Sequence, residues 1–196
     1  MIDGTLLRNV LKVIKDRPEQ TKEIIDSFSD NQYKTKNKLL RCVNEFIDES
    51  FNVAILGCWY GSILVPALAP RVNKVIAIDL DDNVIRVGKN RFFNDYNNVS
   101  WATGDVFTYD PGFSNINLVI NTSCEHMLPM KDWPYWNKNS YFAVTSNNMD
   151  TIEGHINCVY SIDEFKQQLP NNSIFLAQDE IIDERGTRYL LVGKTN

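Results

Sequence analysis

The stretch Val53 to Ser62, "VAILGCWYGS", decides how the chain is read. A short apolar strand runs into a turn bounded by Gly57 and Gly61, in the manner of a strand-to-helix loop that cradles a ligand. Its middle is unusual. Trp59 puts an indole where a small residue is expected, so the loop resembles a phosphate-binding glycine turn that has lost a glycine.

Upstream of this turn, from Met1 to about Ser50, apolar residues recur at helical spacing. They are Leu7, Val10, Leu11 and Ile14, then Ile24, Ile25 and Phe28, then Leu39, Leu40, Val43, Phe46 and Ile47. Pro18 suits the first turn of the second helix. Residues 1–50 are therefore expected to form a helical extension or lid, and residues 51–196 the main domain.

Downstream the rhythm changes to short runs rich in Val, Ile, Phe and Tyr. Strands are expected at 53–57, 74–79, 99–103, 116–121, 140–146, 174–182 and 187–193, with helices near 61–69, 82–93, 124–131 and 161–169. The last helix carries a Ser161-x-x-Glu164 capping box, and Asp81 and Asp82 suit the start of the second. Alternation of strand and helix predicts an α/β fold, a mostly parallel sheet with helices on both faces. The final two strands are joined by "DERG", a tight turn, and so form an antiparallel hairpin.

Composition narrows the chemistry. The 196 residues are 43% hydrophobic and 23% charged, with a net charge of −5. That is an ordinary globular balance and gives no general attraction to phosphate backbones, so nucleic acid is disfavoured as a partner. The four cysteines, Cys42, Cys58, Cys124 and Cys158, include no CxxC pair. They read as reduced thiols in a cytoplasm, and no metal site is expected. No apolar run has membrane length, and the amphipathic start is neither a signal peptide nor a span.

In such sheets ligands bind beyond the carboxyl ends of the strands. Strand one ends in Gly57-Cys58-Trp59-Tyr60-Gly61. Strand two ends in Asp79-Leu80, about 20 residues after the first glycine, the interval at which an acid takes the two hydroxyls of a ribose. Strand three ends in Gly104-Asp105-Val106, and strand four in Asn121-Thr122-Ser123-Cys124-Glu125-His126. Four successive strand ends thus present glycine or polar residues in register.

From Asn52 onward the chain resembles a class I S-adenosylmethionine-dependent methyltransferase, with that family's Rossmann-like sheet of seven strands and closing hairpin. The resemblance implies that Gly57, Gly61 and the residues between them face the methionine part of S-adenosyl-L-methionine. It implies that Asp79, with Leu80 beside it, binds the ribose, and that Gly104, Asp105 and Val106 border the adenine. Asn121 through His126 would then face the methyl group and the acceptor. "GHINCVYSIDEFKQQL" resembles the segment that follows strand five in many small-molecule methyltransferases.

The chain also departs from that pattern. Ile55 stands where an acid is usual and Trp59 where a second glycine is usual, so the backbone need not approach its ligand as closely as it would a pyrophosphate. Trp59 either covers the cofactor, with its face near the sulfonium, or packs the turn against the N-terminal helices. Asp105 is a ligand neighbour or an Asx turn. Glu125 and His126 are a base pair, substrate ligands or a favourable helix start. His155 either opposes His126 or lies on the surface. "DWPYW", with Trp133, Tyr135 and Trp136, either packs or walls an acceptor site. Lys34, Lys36 and Lys38 read as a solvated face.

Methyl transfer to a small molecule or a protein side chain is the function these features imply, since the Asn-Pro-Pro-Tyr-like motif of exocyclic-amine enzymes is absent. The alternative is a non-catalytic binder of the same cofactor or of a partner. A nicotinamide dehydrogenase is disfavoured by Trp59, and an aminopropyl transferase by the lack of an acidic channel motif.

Overall fold

The computed structural model describes residues 4–196. The first three residues of the amphipathic start lie outside that range. Helices α1 (Gly4–Asp16), α2 (Thr21–Ser27) and α3 (Asp30–Val43) come first, with a 3-10 turn at Pro18–Gln20 leading into α2. Seven strands follow: β1 (Asn52–Leu56), β2 (Lys74–Asp79), β3 (Val99–Thr103), β4 (Leu118–Asn121), β5 (Tyr141–Asn147), β6 (Ile174–Asp183) and β7 (Gly186–Lys194). Between them lie α4 (Leu64–Leu68), α5 (Asp82–Val87) and α6 (Ile162–Gln167).

The strands form one sheet in the order β3-β2-β1-β4-β5-β7-β6. β3, β2, β1, β4 and β5 run parallel, and β7 is antiparallel to both β5 and β6. The expected mostly parallel sheet with a terminal hairpin is what the chain builds. Strand order reverses between β1 and β4, so their carboxyl ends diverge into a crevice.

Why Val53–Leu56 of β1 are all apolar follows from what covers them. Side chains alternate across a strand. Val53 and Ile55 join Val75, Ala77, Leu118 and Ile120 on one face, packed with Ile24, Leu39 and Val43 of the N-terminal helices. Ala54 and Leu56 join Ile76, Ile78 and Val119 on the other, packed with Phe165 of α6 and Trp133. A strand covered on both faces leaves no position for a polar side chain. Burying each such Val, Ile or Leu stabilises the fold by about 1.5–3 kcal/mol.

Local signals hold where the chain supplies its own hydrogen bonds. Ser161 Oγ accepts from the Glu164 N–H at 3.1 Å, while the Glu164 carboxylate reaches back to the Tyr160 N–H at 2.7 Å. Asp81 caps α5 by accepting from the Asn83 N–H at 2.7 Å. The helix expected over 82–93 is divided: α5 ends at Val87 and a π-helical turn continues over Gly88–Phe92.

Two expectations are corrected and one open choice is decided. The helix expected at 124–131 is instead two 3-10 turns, Cys124–His126 and Met130–Asp132, with Met127 extended between them. Pro129 is the reason: its ring would strike the carbonyl four residues back, it has no N–H to give, and it disfavours a helical residue before it. Lys36 is not on a solvated face but only 7% exposed. It lies on the same buried stripe of α3 as Leu39, Leu40 and Val43, and burial lowers its ammonium to about 8. Of the two readings of "DWPYW", packing is the one the structure bears out. The Trp133 indole donates to the Val106 carbonyl at 2.9 Å and the Trp136 indole to the Met130 carbonyl at 2.7 Å.

Candidate active site

The crevice opens into a cavity of about 470 Å3, lined at the ends of β1, β2, β3 and β4 by Gly57, Trp59, Asp79, Leu80, Gly104, Asp105, Val106, Glu125 and His126. That volume suits a nucleoside-sized ligand.

The β1 turn is built from left-handed backbone. Gly57, Trp59 and Gly61 have φ of 61°, 51° and 68°. Glycine takes such angles freely, but for tryptophan they are strained. The strain turns the Trp59 N–H onto Asp79 Oδ2 at 2.7 Å, while Asp79 Oδ1 accepts from the Asp81 N–H at 3.1 Å. Burial raises the Asp79 carboxyl above its usual range, opposed by these two amides. Each carboxylate oxygen keeps a lone pair for a further donor.

The Trp59 side chain is shared between the cavity and the core. It lines the cavity, and it packs against the core and the Tyr60 ring, centroids 5.6 Å apart. Asp105 likewise lines the cavity and forms an Asx turn with the Phe107 N–H at 2.9 Å.

Four of the expected cofactor residues do not line the cavity. Cys58 and Tyr60 are buried, and the Tyr60 hydroxyl donates to Glu23 at 3.1 Å. The turn directs these two side chains into the core between its glycines. Gly61 abuts Val65 and the Trp101 ring, where even a Cβ would approach to 2.7 and 2.9 Å. Asn121 is wholly buried, and its side chain shapes the β4 loop, accepting from the Ser123 N–H at 2.9 Å and donating to the sulfurs of Met127 and Met130.

At the β4 end, Glu125 is only 4% exposed. Its Oε1 accepts from Asn147 Nδ2 at 2.6 Å and lies 3.9 Å from the Arg188 guanidinium, while Oε2 is buried with no hydrogen-bond partner. Burial pushes its carboxyl up, opposed by Arg188, His126 and Asn147. His155 does oppose His126: the two rings meet edge to face with centroids 4.5 Å apart.

Gln32 of α3, Met127, Ile152, Arg185 and Arg188 also line the cavity, unforeseen from the sequence. Arg188 reaches the site because β7 runs beside β5 and pairs it with Asn147. No local motif announces such a pairing.

Strand order, the turn after β1 and the crevice above β1 and β4 define the fold of the class I S-adenosylmethionine-dependent methyltransferases. No protein-family model matches the chain, and no curated protein sequence matches it. Among solved structures, the chain is similar to the N-methyltransferase NodS from Bradyrhizobium japonicum in complex with S-adenosyl-L-homocysteine, at TM-score 0.69 and 14% identity over 98% of this chain and 99% of that one. It is also similar to magnesium protoporphyrin IX methyltransferase (ChlM) from Synechocystis with bound S-adenosylhomocysteine, at TM-score 0.66 and 11% identity over 85% of this chain and 83% of that one. A third likeness is to a SAM-dependent methyltransferase from Aquifex aeolicus, at TM-score 0.63 and 16% identity over 81% and 89%. At these identities the likeness is one of fold.

Proposed function

We propose that this protein is an S-adenosylmethionine-dependent methyltransferase acting on a small molecule or a protein side chain. The observation that carries the reading is Asp79, a carboxylate at the end of β2 that faces the cavity and is held by the left-handed turn after β1. In this reading Asp79 takes the ribose hydroxyls. Leu80 and Val106 flank the adenine beside Gly104 and Asp105, and Gly57 and Trp59 meet the methionine part. Gln32 supports a lid role for α3, since it brings that helix to the rim.

The acceptor then lies toward Glu125 and His126. S-adenosylmethionine held by Asp79, Gly57 and Trp59 would supply an electrophilic methyl group for a lone pair of that acceptor, with S-adenosylhomocysteine as the leaving group. Alignment supplies much of the rate, and a base is needed only when the acceptor must lose a proton. His126 Nδ1 lies 3.0 Å from the Gly154 carbonyl. A carbonyl only accepts, so Nδ1 carries the proton and Nε2 is the basic nitrogen. All four cysteines are free thiols, which supports a reducing, cytoplasmic setting. No helix among the described residues is long and apolar enough to cross a membrane.

Calorimetry with S-adenosylmethionine, S-adenosylhomocysteine and NAD tests the ligand class: the first two should bind one per chain and NAD should not. Transfer of labelled methyl to a metabolite or lysate pool then separates an enzyme from a non-catalytic binder of the same fold.

A further inference from the structure

We propose that Glu125, His126 and His155 form a binding site for one divalent transition-metal ion on the β4 side of the cavity. Glu125 and His126 are sequence neighbours at the end of β4, and the loop after β5 brings the distant His155 to them. That loop is stitched to the β4 turn: the Ile156 and Asn157 N–H groups both donate to the Glu125 carbonyl, at 2.9 and 3.0 Å. One ligand atom from each of the three side chains lies within 4.8 Å of the other two.

The hydrogen bonds around the cluster prepare it for a cation. His126 Nδ1 lies 3.0 Å from the Gly154 carbonyl and His155 Nδ1 lies 2.8 Å from the Met149 carbonyl. Both Nδ1 atoms must therefore be protonated, which leaves a lone pair on each Nε2. Carbonyl-anchored imidazoles of this kind are how proteins orient metal-ligating histidines. Glu125 is oriented in the same way, by Asn147 on Oε1, while Oε2 is buried without a partner. A buried carboxylate oxygen left unsatisfied is costly, and a cation shared with two imidazoles removes that cost.

The donor set selects the ion. Two imidazoles and one carboxylate suit Zn2+, Co2+, Fe2+ or Mn2+ better than Ca2+ or Mg2+, which prefer oxygen alone. Bonds of about 2.0–2.2 Å require the ligand atoms to lie within roughly 4.4 Å of one another, so a small side-chain rotation closes the site. Three protein ligands leave coordination positions open toward the cavity. If the cavity is the methyl-acceptor site proposed above, the ion would hold the acceptor's oxygen or nitrogen and ease its deprotonation. Arg188 next to Glu125 tempers the affinity by charge repulsion.

The test uses the full chain without a histidine tag, stripped with chelator and titrated with Co2+ and Zn2+, by calorimetry and by the visible absorption of bound Co2+. The chain has only two histidines, so no other imidazole contributes. One ion per chain is expected, with affinity falling at least 100-fold in His126→Ala and in His155→Ala, and about 10-fold in Asn147→Ala. His126 is exposed, so His126→Ala tests the site without disturbing the core, and circular dichroism checks the fold of every variant. No binding by wild type up to millimolar metal, or undiminished affinity in folded His126→Ala and His155→Ala, overturns the proposal. S-adenosylhomocysteine binding is measured on the same samples. Retained cofactor binding without metal binding rejects the metal site alone; metal binding without cofactor binding rejects the methyltransferase reading and leaves the site standing.

Discussion

The Trp59 N–H donates to Asp79 Oδ2 at 2.7 Å, so a strained residue after β1 fixes a carboxylate at the end of the neighbouring strand β2. The strain at φ 51° is local, but its effect is to aim Asp79 before any ligand arrives. Backbone strain of this sort is typical of binding sites.

Asp79→Asn should weaken S-adenosylhomocysteine binding by about 1.5–3 kcal/mol, the range for hydrogen bonds to a charged group. It should also lower stability by about 1 kcal/mol, because an amide has one acceptor oxygen and either the Trp59 or the Asp81 N–H loses its partner. Calorimetry and thermal melts read the two effects separately. An unchanged dissociation constant in the folded variant would remove Asp79 from the site.

Tryptophan fluorescence should change when S-adenosylhomocysteine saturates the protein, and Trp59→Phe should abolish that change. The other indoles are engaged elsewhere: Trp133 and Trp136 donate to main-chain carbonyls, and Trp101 stacks on Phe93 at 6.2 Å between centroids. Persistence of the signal in Trp59→Phe would assign it to one of these three.

Glu125→Gln and His126→Ala should leave cofactor affinity within about a factor of three while reducing methyl transfer by roughly 10²-fold or more. Both residues sit at the β4 end of the cavity, away from Asp79 and Asp105. Single-turnover transfer of labelled methyl is the measurement, and full activity in both variants would take them out of the reaction.

Lys36 makes stability depend on alkaline pH. Its folded pKa of about 8 lies below the ordinary 10.5, so the unfolded chain binds more protons between these values and stability rises with pH across that window. Below about pH 8 the full cost of burying the charge is present, about 3 kcal/mol for this shift. Lys36→Met should therefore be more stable than wild type at pH 7, with the gap closing as pH rises toward 10.5. Denaturant melts of the pair at pH 7, 9 and 10.5 test this, and a gap that is constant with pH would show that Lys36 does not titrate in that window.

What the sequence by itself determined is whatever neighbouring residues decide. The continuous apolar run of β1, the glycine-bounded turn and the acid closing β2 were readable because a strand covered on both faces excludes polar side chains and a left-handed turn favours glycine. Lys36 was misread as solvated from its charge, although it shares a helical stripe with Leu39 and Val43. The helix expected at 124–131 was likewise a misreading, since Pro129 falls inside it. Tertiary structure alone decided which distant residues share the cavity. The antiparallel entry of β7 beside β5 sets Arg188 opposite Asn147, and two main-chain hydrogen bonds to the Glu125 carbonyl hold the His155 loop against the β4 turn. These contacts depend on strand order and loop path, which arise from packing the whole sheet, and no local pattern of side chains encodes them.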